Sequence, residues 1–250
     1  MTEPRRPDTL FWVDPSRVVG DVLTLDAGDS HHLLRVHRAE RGAPFEATDG
    51  EGTLYRCRMI EASREGARGE VLERIEEAGE LPGPLGLLVG LPDARAAESV
   101  VEHAVPLGAS TIVFIACERS PRAPLGASRL ERLRRLAIAG VKQSRRSRLP
   151  GIETAPSLGA AILQLGAGAR FVADPEGVPF GGNAIRKGQL QAIAAVGPPG
   201  GFTREESAAL SAAEFSPISL GNNRLTTETA TIALACELRK AMIVADLREI

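Results

Sequence analysis

With 250 residues, 43% of them hydrophobic and 25% charged, the chain has the balance of a globular enzyme and room for one large domain or two small ones. A net charge of −2 excludes a polycation, so nucleic-acid contact must come from a local basic patch, and aromatics at 4% leave few rings for a base-stacking platform. The scattered cysteines Cys57, Cys117 and Cys236 form no CxxC or Cys/His cluster, which argues against disulfides and zinc. The N-terminus lacks an apolar signal core, and no run reaches membrane-spanning length; together these predict a cytoplasmic protein without a metal.

Up to about residue 80, short apolar runs alternate with charges and glycines. Residues 10–13, 44–48, 54–60 and 69–75 read as strands, with turns at Asp49-Gly50 and Glu65-Gly66. A short helix over 30–38, capped by Asp29 or Ser30, interrupts them. Strands this short and this closely spaced predict a small β-barrel. The stretch 80–84, with two prolines and a glycine, reads as a linker, dividing the chain into 1–80 and 81–250.

Beyond it the texture changes. Residues 85–91 form a continuous apolar run, as expected of a strand buried on both faces. Helices at 95–106, 128–145, 157–165 and 203–213 then alternate with strands at 111–117, 170–174, 192–197 and 216–220. Thr203 and Glu206 have capping-box spacing. A long helix over 227–247 ends the pattern, which predicts an α/β fold with a mainly parallel sheet.

The helix at 128–145 opens the richest basic run: Arg129, Arg132, Arg134, Arg135, Lys142, Arg145, Arg146 and Arg148, opposed locally by Glu131 alone. Positions three and four apart share a helix face, so Arg132 and Arg135 can line one stripe. A solvated helix face is the ordinary alternative to an RNA contact. Arg35 and Arg38 on the short N-terminal helix add a second basic group. His31 and His32 are neighbours and point about 100° apart on a helix, so they do not form a metal pair. His37 and His103 read as structural.

Two loops concentrate the chemistry. The first, Val196-Gly197-Pro198-Pro199-Gly200-Gly201-Phe202-Thr203, follows a strand, where open α/β sheets bind ligands. Its glycines permit close backbone approach and its prolines stiffen it. It is neither GxGxxG nor a Walker loop. The second, Leu220-Gly221-Asn222-Asn223-Arg224-Leu225-Thr226-Thr227-Glu228-Thr229, leads into the terminal helix, with Thr226 or Thr227 as cap. Glu228 sits in its first turn, where the helix dipole favours a carboxylate.

Taken together and in this order, VGPPGGFTREE and LGNNRLTTETATIAL resemble the motifs of the bacterial 16S ribosomal-RNA uridine-N3 methyltransferase family of the SPOUT class. Upstream, Ser30–Arg38, Cys117-Glu118-Arg119-Ser120 and Gln143-Ser144-Arg145-Arg146 with Pro150 match further family segments in the right order. The resemblance implies an N-terminal PUA-like β-barrel that binds RNA and a C-terminal SPOUT domain with a trefoil knot. It also implies a homodimer and S-adenosylmethionine (S-adenosyl-L-methionine) held by three loops. Those loops are, in chain order, the one after residues 171–174, the glycine loop and 220–229; the implied cofactor contacts are Ala173 at the first; Val196, Gly197, Pro198, Gly200 and Gly201 on the second; and Leu220, Gly221, Asn223, Leu225, Thr226 and Thr229 on the third. Contacts to small-subunit ribosomal RNA are expected at His32, Arg35, Arg38, Arg119, Arg135, Arg145 and Arg146.

The chain departs from the family at charged positions. Pro199 and Thr226 replace a glutamate and an arginine, Asn222 and Asn223 replace a proline and an arginine, and Lys142 replaces a glutamate; Leu91-Pro92-Asp93 stands in place of a lysine-glycine-aspartate. Methylating a uridine nitrogen requires loss of the N3 proton. Glu228 is the candidate base, and Arg224 the candidate cation that stabilises the uridine oxygen. A diverged relative that binds RNA without turnover is the competing reading, suggested by Pro199 and Thr226.

Overall fold

A computed structural model describes residues 9–63, 66–121, 125–164, 166–181, 185 and 190–247. They fall into two units. The first comprises Met1–Glu80 with Ile138–Leu149, the second Leu81–Ala137 with Pro150–Ile250. The first unit therefore also takes in 138–149, a stretch that the linker at 80–84 does not mark.

In the first unit, β1 (Leu10–Trp12), β2 (Val18–Val19) and β3 (Val22–Thr24) precede the short helix α1 (Ala27–His31) and a π-helical turn at His32–Val36; β4 (Pro44–Thr48), β5 (Thr53–Ser63) and β6 (Gly66–Glu76) follow. The strands form one sheet in the order β1-β4-β5-β6-β3-β2, antiparallel except for β1 with β4. Phe11, Leu23, Phe45, Tyr55, Met59 and Val71, from five different strands, bury into one cluster with Leu33 of the π turn, so the sheet curls around its own core. Asp49 closes the expected turn after β4, accepting the amides of Glu51 and Thr53. Of the second expected turn, Glu65 lies outside the described residues. The strands at 54–60 and 69–75 are longer than expected, because their outer ends pair with each other, as Arg68 does with Glu61.

The cap of α1 is neither Asp29 nor Ser30 but Asp26, whose carboxylate accepts the Asp29 amide. Asp29 and Ser30 are buried and tie the helix to strands instead. The Asp29 carboxylate accepts the Trp12 amide at 2.6 Å, and Ser30 Oγ accepts the Ala67 amide at 2.8 Å.

The second unit runs β7 (Leu85–Gly90), α2 (Ala94–Ala104), β8 (Ala109–Ile115), α3 (Ala127–Ser144), β9 (Gly151–Ala155), α4 (Leu158–Leu163), β10 (Ala169–Pro179), β11 (Ala192–Val196), α5 (Arg204–Ala212), β12 (Ser216–Ser219) and α6 (Thr227–Leu247); the division between units falls within α3. Residue 165 of the expected fourth helix lies outside the described residues. The sheet is parallel throughout, in the order β12-β10-β11-β7-β8-β9. Its central strands β7 and β11 are almost wholly buried, as an unbroken apolar run demands. α6 packs on β7, β11 and α2. Leu158 of α4 and Leu210 of α5 join a separate core cluster with Leu88, Val113 and Ile193.

Candidate active site

β12, β10 and β11 are neighbours in the sheet, and the loops leaving their carboxyl ends wall one cavity of about 840 Å³. The glycine loop forms a turn closed by the Gly201 amide donating to Pro198 O at 2.7 Å, with Pro199 at its second position, where a fixed φ is favoured. Thr203 and Glu206 complete the capping box that starts α5. A Cβ on Gly90 would stand 2.4 Å from Pro198 N, so the end of β7 and this loop lie together only because residue 90 is glycine.

The third loop is tied to the second. Thr227 Oγ1 donates to Gly197 O at 3.0 Å, and Arg224 Nη2 reaches Pro199 O at 3.4 Å. Of the two candidate caps, Thr226 takes the role: its hydroxyl accepts the Thr229 amide and bonds Thr229 Oγ1. Two family departures thereby acquire local structural reasons. Pro199 shapes the turn where the family has glutamate, and Thr226 caps α6 where it has arginine.

Ala173, Val196, Gly197, Pro198, Gly200, Gly201, Leu220, Gly221, Asn223, Arg224, Leu225 and Thr226 all line the cavity. Thr229 and the half-buried Glu228 fall outside its lining, in the first turn of α6. Asp174, Phe202, Ser207 and Ser211, which are not among the expected contacts, also line it. Ser207 and Ser211 are four apart on α5, a spacing that puts them on one face, and this was the available signal.

The residues expected at RNA divide sharply. Arg35, Arg38 and Arg135 are exposed, as are Arg129 and Arg134. His32 is half-buried, its ring edge-on to Phe11. The π turn, closed by the His37 amide on His32 O, brings the rings of His32 and His37 to 4.9 Å, and His37 also bonds Thr9 Oγ1. Arg119, Arg145 and Arg146 each have partners within the protein, and the burial of Arg146 corrects its expected RNA contact. Arg119 is exposed, but its guanidinium donates to Gly200 O at 3.0 Å and Phe202 O at 3.2 Å, bracing the glycine loop. Arg145 pairs with the buried Glu46. Arg146 is 2% exposed and grips Glu80 through Nε and Nη2, beyond the reach of a phosphate. Lys142, the replacement for a family glutamate, pairs with Asp29 at 2.5 Å.

Burial raises the Cys117 thiol beside the site to about 12, and the neighbouring Glu206 carboxylate pushes the same way. Among the described residues no cluster of three or more His, Cys, Asp or Glu could hold a metal ion.

Residues 79–238 match the RNA methyltransferase domain, and residues 25–72 the RNA methyltransferase PUA domain. The chain is 31% identical to ribosomal RNA small subunit methyltransferase E of Synechocystis sp., across 89% of this chain and 75% of that protein. A probable rRNA-methyltransferase from Porphyromonas gingivalis superposes with a TM-score of 0.79 at 27% identity, covering 91% of this chain and 95% of that one. The same fold occurs in ribosomal RNA small subunit methyltransferase E from Neisseria gonorrhoeae, solved bound to S-adenosyl methionine, with a TM-score of 0.75 at 23% identity over 91% of this chain and 94% of that one. The chain belongs to the ribosomal RNA small subunit methyltransferase E family.

Proposed function

We propose that this chain transfers the methyl group of S-adenosylmethionine to N3 of a uridine in 16S ribosomal RNA, as a cytoplasmic homodimer. The observation that carries the reading is the cavity at the ends of β10, β11 and β12, with the glycine turn on one side and Arg224 on the other. Its volume, about 840 Å³, suits a nucleoside-sized ligand. Val172, Leu210, Phe215 and Leu225 offer apolar contact, and the backbone of Gly197–Gly201 offers polar edges. When bound, the cofactor supplies a methyl group activated on a sulfonium.

The transfer forms an N3–C bond, breaks a S–C bond and releases the N3 proton. A neutral imide nitrogen is a poor nucleophile, so the residues must favour its anion. Arg224 holds Pro199 O through one long bond, at 3.4 Å, which a uridine oxygen can replace. Its cation then stabilises charge developing on that oxygen. Glu228, half-buried at the start of α6, accepts the proton.

In this reading the first unit serves RNA binding, with Arg35 and Arg38 exposed on it, and exposed Arg129, Arg134 and Arg135 on α3 add phosphate contacts. The second unit is the SPOUT domain. The trefoil knot that the family resemblance implies belongs to this reading. α6 buries Leu234, Leu238 and Met242 but leaves Leu247 exposed and Ile232 and Ile243 half-buried, which supports a dimer through its remaining face. Among the described residues, no helix is long and apolar enough to cross a membrane.

Mass spectrometry of small-subunit ribosomal RNA, incubated with protein and cofactor, tests the reading. The expected product gains one methyl on a uridine. Arg224→Ala and Glu228→Gln should slow single turnover while cofactor affinity persists. Unmodified RNA from the wild-type reaction would overturn the assignment.

A further inference from the structure

We infer that Arg119 is a positioning residue for the cofactor loop, working as one half of a brace whose other half is Glu206; this rests on the reading of the cavity as the cofactor site. The loop after β8 runs alongside the glycine loop, and the two are stitched in both directions. Arg119 sends one guanidinium nitrogen to Gly200 O at 3.0 Å and Phe202 O at 3.2 Å. The Glu206 carboxylate answers by accepting the Glu118 amide at 3.0 Å with one oxygen and the Thr203 amide at 2.9 Å with the other. The Arg119 stem packs beneath the turn, its Cβ 3.0 Å from where a Cβ on Gly200 would stand.

The geometry explains why a cation sits here without an acidic partner among the described residues. The carbonyl of Gly200 lies in the turn and that of Phe202 between the turn and the start of α5, outside any strand or helix ladder. One fork-shaped guanidinium can hold two such carbonyls at once, and a hydrogen bond with a charged donor is roughly twice as strong as a neutral one. With those oxygens turned towards Arg119, the opposite side of the turn keeps a fixed orientation towards the cavity that Gly200 and Gly201 line. Arg119 thus acts through the backbone rather than by touching the cofactor. Arg224 meets the same turn from the other side by a single longer bond, and so remains free to exchange partners.

Two measurements on Arg119→Ala and Arg119→Lys test this. Hydrogen exchange of the ligand-free protein reads the brace directly: amides across residues 200–203 should exchange faster in Arg119→Ala, while those of β7 and β11 stay protected. Calorimetry with S-adenosylmethionine should show affinity lowered about ten-fold in Arg119→Ala, as expected for losing charge-assisted bonds, with partial recovery in Arg119→Lys, which can reach one carbonyl. In steady state the KM for the cofactor rises, whereas kcat and the salt dependence of RNA binding stay as in the wild type. If wild-type protein fails to bind the cofactor, the cavity reading falls, and the exchange result still decides the brace. Unchanged exchange at 200–203, or weakened RNA binding with a flatter salt slope and normal cofactor affinity, overturns the proposal.

Discussion

Between Arg129 and Arg135 the guanidinium groups stand on the exposed side of α3, and Arg132 pairs with Glu98. Between Lys142 and Arg148 the cations are matched one by one: Lys142 with Asp29, Arg145 with Glu46, Arg146 with Glu80 and Arg148 with Glu77. The two stretches look alike in sequence, yet the first presents charge to solvent and the second fastens a segment to the first unit. Their partners explain the difference. The matching carboxylates of the second stretch lie between 66 and 113 residues away, where no local count of opposing charge can find them. Glu80 accepts the Arg146 guanidinium together with the amides of Ser147 and Arg148.

The largest effect that would test this contrast is on stability. Arg146→Ala leaves Glu80 buried without its cation, and breaking such a pair costs about 3–5 kcal/mol. Urea denaturation should show that loss, whereas Arg134→Ala, on the exposed stretch, should stay within about 0.5 kcal/mol of wild type. Equal losses at the two positions would erase the distinction.

A second experiment asks whether the cofactor site is indifferent to both stretches, as a site built mainly of backbone should be. Gly221 has φ +108°, which a valine adopts only with strain, and nothing else lies within 4 Å of its would-be Cβ. Gly221→Val should therefore act on loop conformation alone and weaken S-adenosylmethionine binding by roughly 10- to 100-fold. Arg134→Ala and Arg135→Ala should leave that affinity unchanged. Cofactor binding that follows the arginine changes and ignores residue 221 would reverse the assignment.

A third, smaller effect concerns RNA. Each of Arg134→Ala and Arg135→Ala should lower the slope of log affinity against log salt by about one, because each lost phosphate contact retains its counterions. Lys142→Ala should leave the slope alone, its charge being already matched by Asp29. A uniform change across all three would mean that the helix acts as one electrostatic surface.

How legible the molecule was in its sequence follows the same physics. The buried strands β7 and β11 announce themselves as unbroken apolar runs, and the glycine loop and the loop before α6 by residue types that few other settings require. Most of the cavity lining was therefore readable. The hairpin of β2 and β3 was not, since Val18–Val19 and Val22–Thr24 are too short to show a period. β9 was missed because Gly151–Ala155 carries a glycine and a glutamate at an edge position. The partners of Arg119 and Arg146 were not legible for one shared reason: an arginine's role depends on which oxygens the fold brings to it, and carbonyls and distant carboxylates leave no mark beside it in the chain.

The last test separates the two units by their thiols. Burial raises Cys57, in the core of the first unit, to about 12, and Cys117, in the second, is raised to about 12 by burial and by Glu206. Both thiols ordinarily ionise near 9. In the unfolded chain they lose their protons from about pH 9 upward, while the folded protein keeps them until about pH 12. The stability they contribute is thus complete below pH 9 and falls progressively from there to pH 12. At pH 8 a thiol reagent should spare both buried thiols in the folded protein. In Arg146→Ala, loosening of the first unit should admit the reagent to Cys57 and leave Cys117 protected. Simultaneous labelling of Cys57 and Cys117 would show instead that the two units open as one cooperative body. The segment 138–149 would then secure the whole chain rather than the first unit alone.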